Sequence, residues 1–121
     1  MSAQSILIVE DEPLIAMMIE DFLDVLGKSV AGSADTVEGA VAIIADGGVD
    51  AAILDVNLRG GEKSFPIAEV LAQKGIPFVF ATGGSHDTVA EQFRDRPTLP
   101  KPFTMDGVSK ALDALGTASA A

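Results

Sequence analysis

The chain has no cysteine, no tryptophan and no tyrosine, one histidine, and eight lysines and arginines against eighteen aspartates and glutamates in 121 residues. Each scarcity removes a class of function. Without cysteine there are no disulfides, no thiolate metal sites and no thiolate nucleophile. A lone His86 cannot build a multi-histidine metal centre. A formal charge of −10 repels nucleic acid phosphates and anionic lipid surfaces unless basic residues gather in one patch, and no such patch is visible. Neither a nucleic acid nor a membrane partner is expected. No run approaches the roughly 20 apolar residues of a membrane span, and the N-terminus lacks a basic region followed by a long apolar one. A cytoplasmic protein is expected.

What is present is enough for a core. With 48% apolar and 21% charged residues, the chain suits one domain over 1–121, ordered from about 5 to 116, with a small-residue tail at 117–121 expected to fray. It is too short for a receptor module plus an effector module, so no output domain is expected. Strand-length apolar runs recur at Ser5 to Val9, Ser29 to Ser33, Ala51 to Leu54 and Phe78 to Ala81, with a weaker fifth at Thr98 to Leu99. Helical spacing separates them. Leu14, Ile15, Met18, Ile19, Phe22, Leu23 and Leu26 predict a helix with one wide buried face, opened by Pro13 and closed by Gly27. Asp35 with Glu38 resembles a capping pair before Val37, Val41 and Ile44. Ser64 to Lys74 and Thr104 to Leu115 predict two more helices, closed by Gly75 and Gly116. Asp87 to Phe93 offers a shorter one with little to bury, expected to be mobile. Alternating strands and helices imply a parallel sheet covered on both faces, with ligands outside the carboxyl ends of the strands.

Those ends carry the chemistry. The first apolar run stops abruptly in Glu10, Asp11 and Glu12. The third strand ends in Asp55, the fourth in Thr82 and the last in Lys101. The topology brings these separated residues to one sheet edge. Carboxylates crowded in one crevice repel each other unless a cation shares the site. An all-oxygen ligand set favours a hard divalent ion, and magnesium is the ion inferred. A carboxylate, magnesium, a lysine and a hydroxyl are together the components of phosphoryl transfer to an acyl oxygen. Asp55 is the expected nucleophile, because it ends the central strand and the turn Val56-Asn57-Leu58 can aim it into the crevice.

At Glu10-Asp11, Asp55, Thr82 and Lys101-Pro102-Phe103 the chain resembles the receiver domains of two-component response regulators, and the resemblance covers Ser5 to Leu115. It implies a flavodoxin-like (βα)5 three-layer sandwich whose parallel five-stranded sheet has the order 2-1-3-4-5. It also implies that Glu10, Asp11, Asp55 and the backbone carbonyl of Asn57 hold Mg2+, that Asp55 is the phosphoacceptor, and that Thr82 and Lys101 bind and sense the phosphoryl group. "IPFVFATGG" at Ile76 to Gly84 and "DVNLRGGE" at Asp55 to Glu62 look like the FAT GUY group of stand-alone receivers. Two departures stand out. The signature tyrosine is replaced by Ser85 or His86, and the aromatic switch residue three positions before the lysine is Thr98. The usual coupling of a threonine shift to an aromatic rotamer is then missing, and the readout must differ.

Each mark alone has an ordinary explanation. Acidic residues after a strand suit a helix start, which is the better reading of Glu12. A strand-ending Asp and a Thr before Gly-Gly suit turns, and Lys101 could be a surface lysine between prolines. The ordered set of five at four strand ends is what carries the argument. Phe78, Phe80 and Phe103 are expected in the core, and Arg94 and Arg96 on a solvated face. The resemblance implies a non-enzymatic single-domain response regulator that receives phosphoryl groups from a sensor histidine kinase, of HWE type for this group. It would signal through a downstream protein or by phosphate competition, in a general stress response. A haloacid dehalogenase-type phosphatase would need a second Asp where Asn57 stands, and a constitutive adaptor would not need the complete acidic set.

Overall fold

The computed structural model describes residues 4–82, 98–100 and 103–120. Five strands, β1 (Ser5–Val9), β2 (Ser29–Ala34), β3 (Ala51–Asp55), β4 (Phe78–Thr82) and β5 (Thr98–Pro100), form one parallel sheet in the order β2-β1-β3-β4-β5. Among the described residues there are four α-helices, α1 (Pro13–Val25), α2 (Val37–Asp46), α3 (Phe65–Gln73) and α4 (Met105–Ala120). This is the parallel sheet covered on both faces that the alternation of apolar runs predicts, in the flavodoxin-like order that the resemblance implies. The short helix expected at Asp87 to Phe93 lies outside the described residues.

Strand alternation sorts the core into two halves. Leu7, Val9, Ala52, Leu54, Phe78 and Phe80 face α2 and α3, meeting Ala40, Ile44, Ile67, Ala68 and Leu71. Ile6, Ile8, Ala51, Ile53, Val79, Ala81 and Leu99 face α1 and α4, meeting Ile19, Leu23, Val108 and Leu112. The central strand β3 is buried along its whole length, as a strand covered on both sides must be. Phe78 and Phe80 meet edge to face, centroids 5.5 Å apart, and Phe103 joins the other half. All three are core residues, as expected. The edge strand β2 is irregular: Ile6 pairs with Val30 but Leu7 with Gly32, so Ala31 is skipped in a bulge.

Three local expectations are corrected. Leu14 is 77% exposed and Ala16 is buried in its place. The buried line of α1 runs through Ala16, Ile19 and Leu23, and Leu14 lies five residues before Ile19, about 140° round the helix. The cap of α2 is Thr36 rather than Asp35: Thr36 Oγ1 accepts a hydrogen bond from the Gly39 amide at 3.0 Å. Thr36 has the extended backbone an N-cap requires. Finally, α4 does not stop at Gly116 but runs to Ala120. A glycine inside a helix costs only about 1 kcal/mol relative to alanine.

Candidate metal and phosphoryl site

Parallel register builds the acidic site. Val9 pairs with Leu54 in β1 and β3, so Glu10 and Asp55 stand one step further along adjacent strands. Alternation puts both on the side of the sheet that α1 covers. The amide of Glu10 donates to the Ala34 carbonyl at 3.0 Å, which carries the β1 to β2 pairing one residue past the strand. Both side chains are buried, each residue only 5% exposed. Asp11 follows, half-buried. One carboxylate oxygen from each of Glu10, Asp11 and Asp55 lies within 4.8 Å of the others.

Neighbouring residues divide clearly into roles. Glu12 is exposed and sits at the N-cap of α1 without a side-chain cap bond, and its amide donates to Glu10 Oε1 at 3.3 Å. It is a helix-start residue, outside the carboxylate cluster. An open cavity of about 270 Å³ is lined by Glu10 and Asp11 together with Ala16 of α1, Ser33 and Asp35. Two carboxylates so deeply buried and so close demand positive charge. Three oxygen donors at the carboxyl ends of two adjacent parallel strands, beside an open cavity, fit a hard divalent ion that keeps part of its hydration shell.

Thr82 ends β4, half-buried, at the same edge. Lys101, Ser85, His86, Arg94, Arg96 and the Lys101-Pro102 bond lie outside the described residues. Pro100 pairs with Thr82, so β5 leads the chain toward that edge. Of the sequence-predicted set, the structure therefore brings together Glu10, Asp11 and Asp55, with Thr82 alongside.

Asn57 opens the loop after β3, and the loop is more organised than its sequence suggests. Asn57 forms an antiparallel bridge with Lys63, and its side-chain oxygen accepts from Lys63 Nζ. The Leu58 amide donates to the Glu62 carbonyl at 2.7 Å and the Ser64 amide to the Val56 carbonyl at 3.0 Å. Leu58 itself is buried in the core. The turn between them needs Gly60 and Gly61, with φ of 73° and 80°, a region closed to most side chains. Glu62 reaches out of the loop: its Oε1 accepts from the Val37 amide at 2.8 Å, at the first turn of α2. Sequence reading missed Glu62 and Lys63. Only the two adjacent glycines hinted at a tight turn that would bring Asn57 and Lys63 together.

A family model described as response regulator receiver domain matches residues 6–113. The phyllosphere-induced regulator PhyR of Methylorubrum extorquens is 33% identical over 114 residues, which span 91% of this chain and 42% of the relative. The chain thus matches less than half the length of that protein. Among solved structures, SdrG from Sphingomonas melonis Fr1 is 72% identical with a TM-score of 0.86, over 95% of this chain and 98% of that one. The BeF3-activated conformation of SdrG from Pseudomonas melonis Fr1 is also 72% identical, with a TM-score of 0.80 over the same shares.

Proposed function

Because the chain belongs to the response regulator receiver domain family, we propose that it is a signalling protein that accepts a phosphoryl group on Asp55. The observation that carries this reading is the convergence of Glu10, Asp11 and Asp55 oxygens within 4.8 Å at the carboxyl ends of β1 and β3. Glu10, Asp11, Asp55 and the Asn57 backbone carbonyl are the ligands proposed for magnesium. Bound there, the ion supplies positive charge to a phosphoryl group at Asp55.

A carboxylate oxygen of Asp55 attacks the phosphorus of a phosphohistidine. The phosphorus–nitrogen bond breaks, the imidazole leaves with its electron pair and takes a proton from water, and an acyl phosphate remains on Asp55. The Thr82 hydroxyl donates to one phosphoryl oxygen, and the Lys101 ammonium balances another. Each event consumes the protein's own carboxylate, so the chain is a phosphoacceptor and not a turnover enzyme. The donor is a sensor histidine kinase in the cytoplasm, of HWE type by the resemblance of the Ile76 to Gly84 stretch. Output is binding to a downstream protein or competition for phosphoryl groups, in a general stress response. Similarity to a solved structure of the PhyR stress response regulator, 26% identical with a TM-score of 0.78, supports the stress-response part of that assignment.

The test is intact mass after incubation with acetyl phosphate and magnesium, beside Asp55→Asn and a chelator control. One magnesium-dependent phosphoryl adduct, absent from the variant, is expected. Absence of an adduct with both acetyl phosphate and a phosphorylated HWE-type kinase would overturn the reading.

A further inference from the structure

We propose that Glu62 is a positioning residue for the metal site, acting through its hydrogen bond to the start of α2. The inference rests on the reading that the Asn57 carbonyl is a magnesium ligand. That carbonyl belongs to a loop whose internal bonds, Asn57 to Lys63, Leu58 to Glu62 and Val56 to Ser64, fix its shape. Internal bonds fix shape but not placement, because a closed loop can still tilt as a unit about its two stems.

Placement needs ties to other parts of the molecule. Leu58 supplies one by burying its side chain in the core. Glu62 supplies another, across 25 residues of sequence, at 2.8 Å to the Val37 amide. Val37 is the first residue of α2, whose unpaired amides and dipole favour a carboxylate. Thr36 already serves the Gly39 amide, so Glu62 takes a donor that the local cap leaves over. Glu62 and Asn57 flank the same turn, and the Leu58 amide to Glu62 carbonyl bond joins their backbones. Holding Glu62 against α2 therefore holds the Asn57 peptide, two residues after Asp55, in a fixed place. Glu62 is itself exposed and forms no part of the carboxylate cluster.

The experiment is a magnesium titration followed by amide chemical shifts on the whole chain without phosphodonor, in wild type, Glu62→Ala, Glu62→Gln and Val37→Pro. Val37→Pro removes the donor instead of the acceptor, at a first-turn position where proline is tolerated. Glu62→Ala and Val37→Pro are expected to weaken magnesium binding by about tenfold, the usual effect of losing a group that orients a ligand. Glu62→Gln keeps an oxygen for the Val37 amide and should restore most of the affinity. Urea melts of each variant beside the titration separate a loss of magnesium affinity in folded protein from a general loss of stability. Should Glu62→Ala fail to fold, the contrast between Val37→Pro and Glu62→Gln carries the same test. Wild-type affinity in Glu62→Ala, with the Val37 amide exchanging faster than in wild type, would overturn the proposal. Wild-type protein that binds no magnesium would overturn the metal reading, and this one with it.

Discussion

Asp55 stands opposite Ala81 in the parallel register of β3 and β4, which sets Thr82 one residue beyond it at the same edge of the sheet. The spacing is a property of the backbone pairing, so it survives changes in the side chains themselves. Thr82→Ala is accordingly expected to fold with stability within about 0.5 kcal/mol of wild type. Phosphoryl uptake should slow by on the order of a hundredfold, because one donor to the phosphoryl oxygens is lost. Thr82→Ser keeps the hydroxyl and should retain most of the rate. Stopped time courses of intact mass with acetyl phosphate would read both.

Magnesium should raise the melting temperature by mass action on the native state. At ten times its Kd the ion adds about 1.4 kcal/mol, or about 5 °C for a chain of this size. Asp11→Asn removes one of the three clustered carboxylates and should abolish most of that rise. It should also stabilise the metal-free protein slightly, since it relieves repulsion. Thermal melts with and without the ion would show both effects, and an unchanged rise in Asp11→Asn would count against its role as a ligand.

Ser64 is fully buried at the start of α3, and its hydroxyl has no hydrogen-bond partner. Its backbone is what the fold uses, accepting from the Ile67 and Ala68 amides and donating to Val56. Ser64→Ala removes an unsatisfied polar atom without opening much space. Urea denaturation should place it between wild type and about 1 kcal/mol more stable.

Gly60 has φ 73° and ψ 16°, and a Cβ built there meets no atom within 4 Å. Gly60→Ala should then cost only the backbone strain of a left-handed residue, roughly 1 kcal/mol. Gly60→Asn should cost less, because asparagine tolerates that region. A loss well above 2 kcal/mol in the alanine variant, measured by denaturant melting, would point to a steric role that the open surroundings do not suggest.

The parallel sheet and its acidic edge were legible because each rests on a pattern within a few residues: apolar runs ending in Glu10, Asp55 and Thr82, and helices bracketed by Pro13, Gly27 and Gly75; the strand order came only with the family resemblance. Leu14 misled because apolar spacing was counted without asking which residue, Leu14 or the small Ala16, could approach the sheet. The α2 cap slipped by one because Asp35 and Thr36 are both good caps, and only the backbone at Thr36 chooses between them. The bond from Glu62 to Val37 had no local signal. It joins the loop after β3 to the start of α2, brought together by the pairing of β1 with both β2 and β3, and such contacts become visible only once the sheet is assembled.

The bulge at Ala31 has a bearing on how this protein behaves when crowded. A parallel sheet ending in a regular strand would offer a ladder of amides and carbonyls onto which another chain could zip. Here the outermost strand loses its spacing midway and carries serine, glycine and alanine with a single exposed valine. With a strongly negative molecule behind it, that border of the sheet is a poor template for growth.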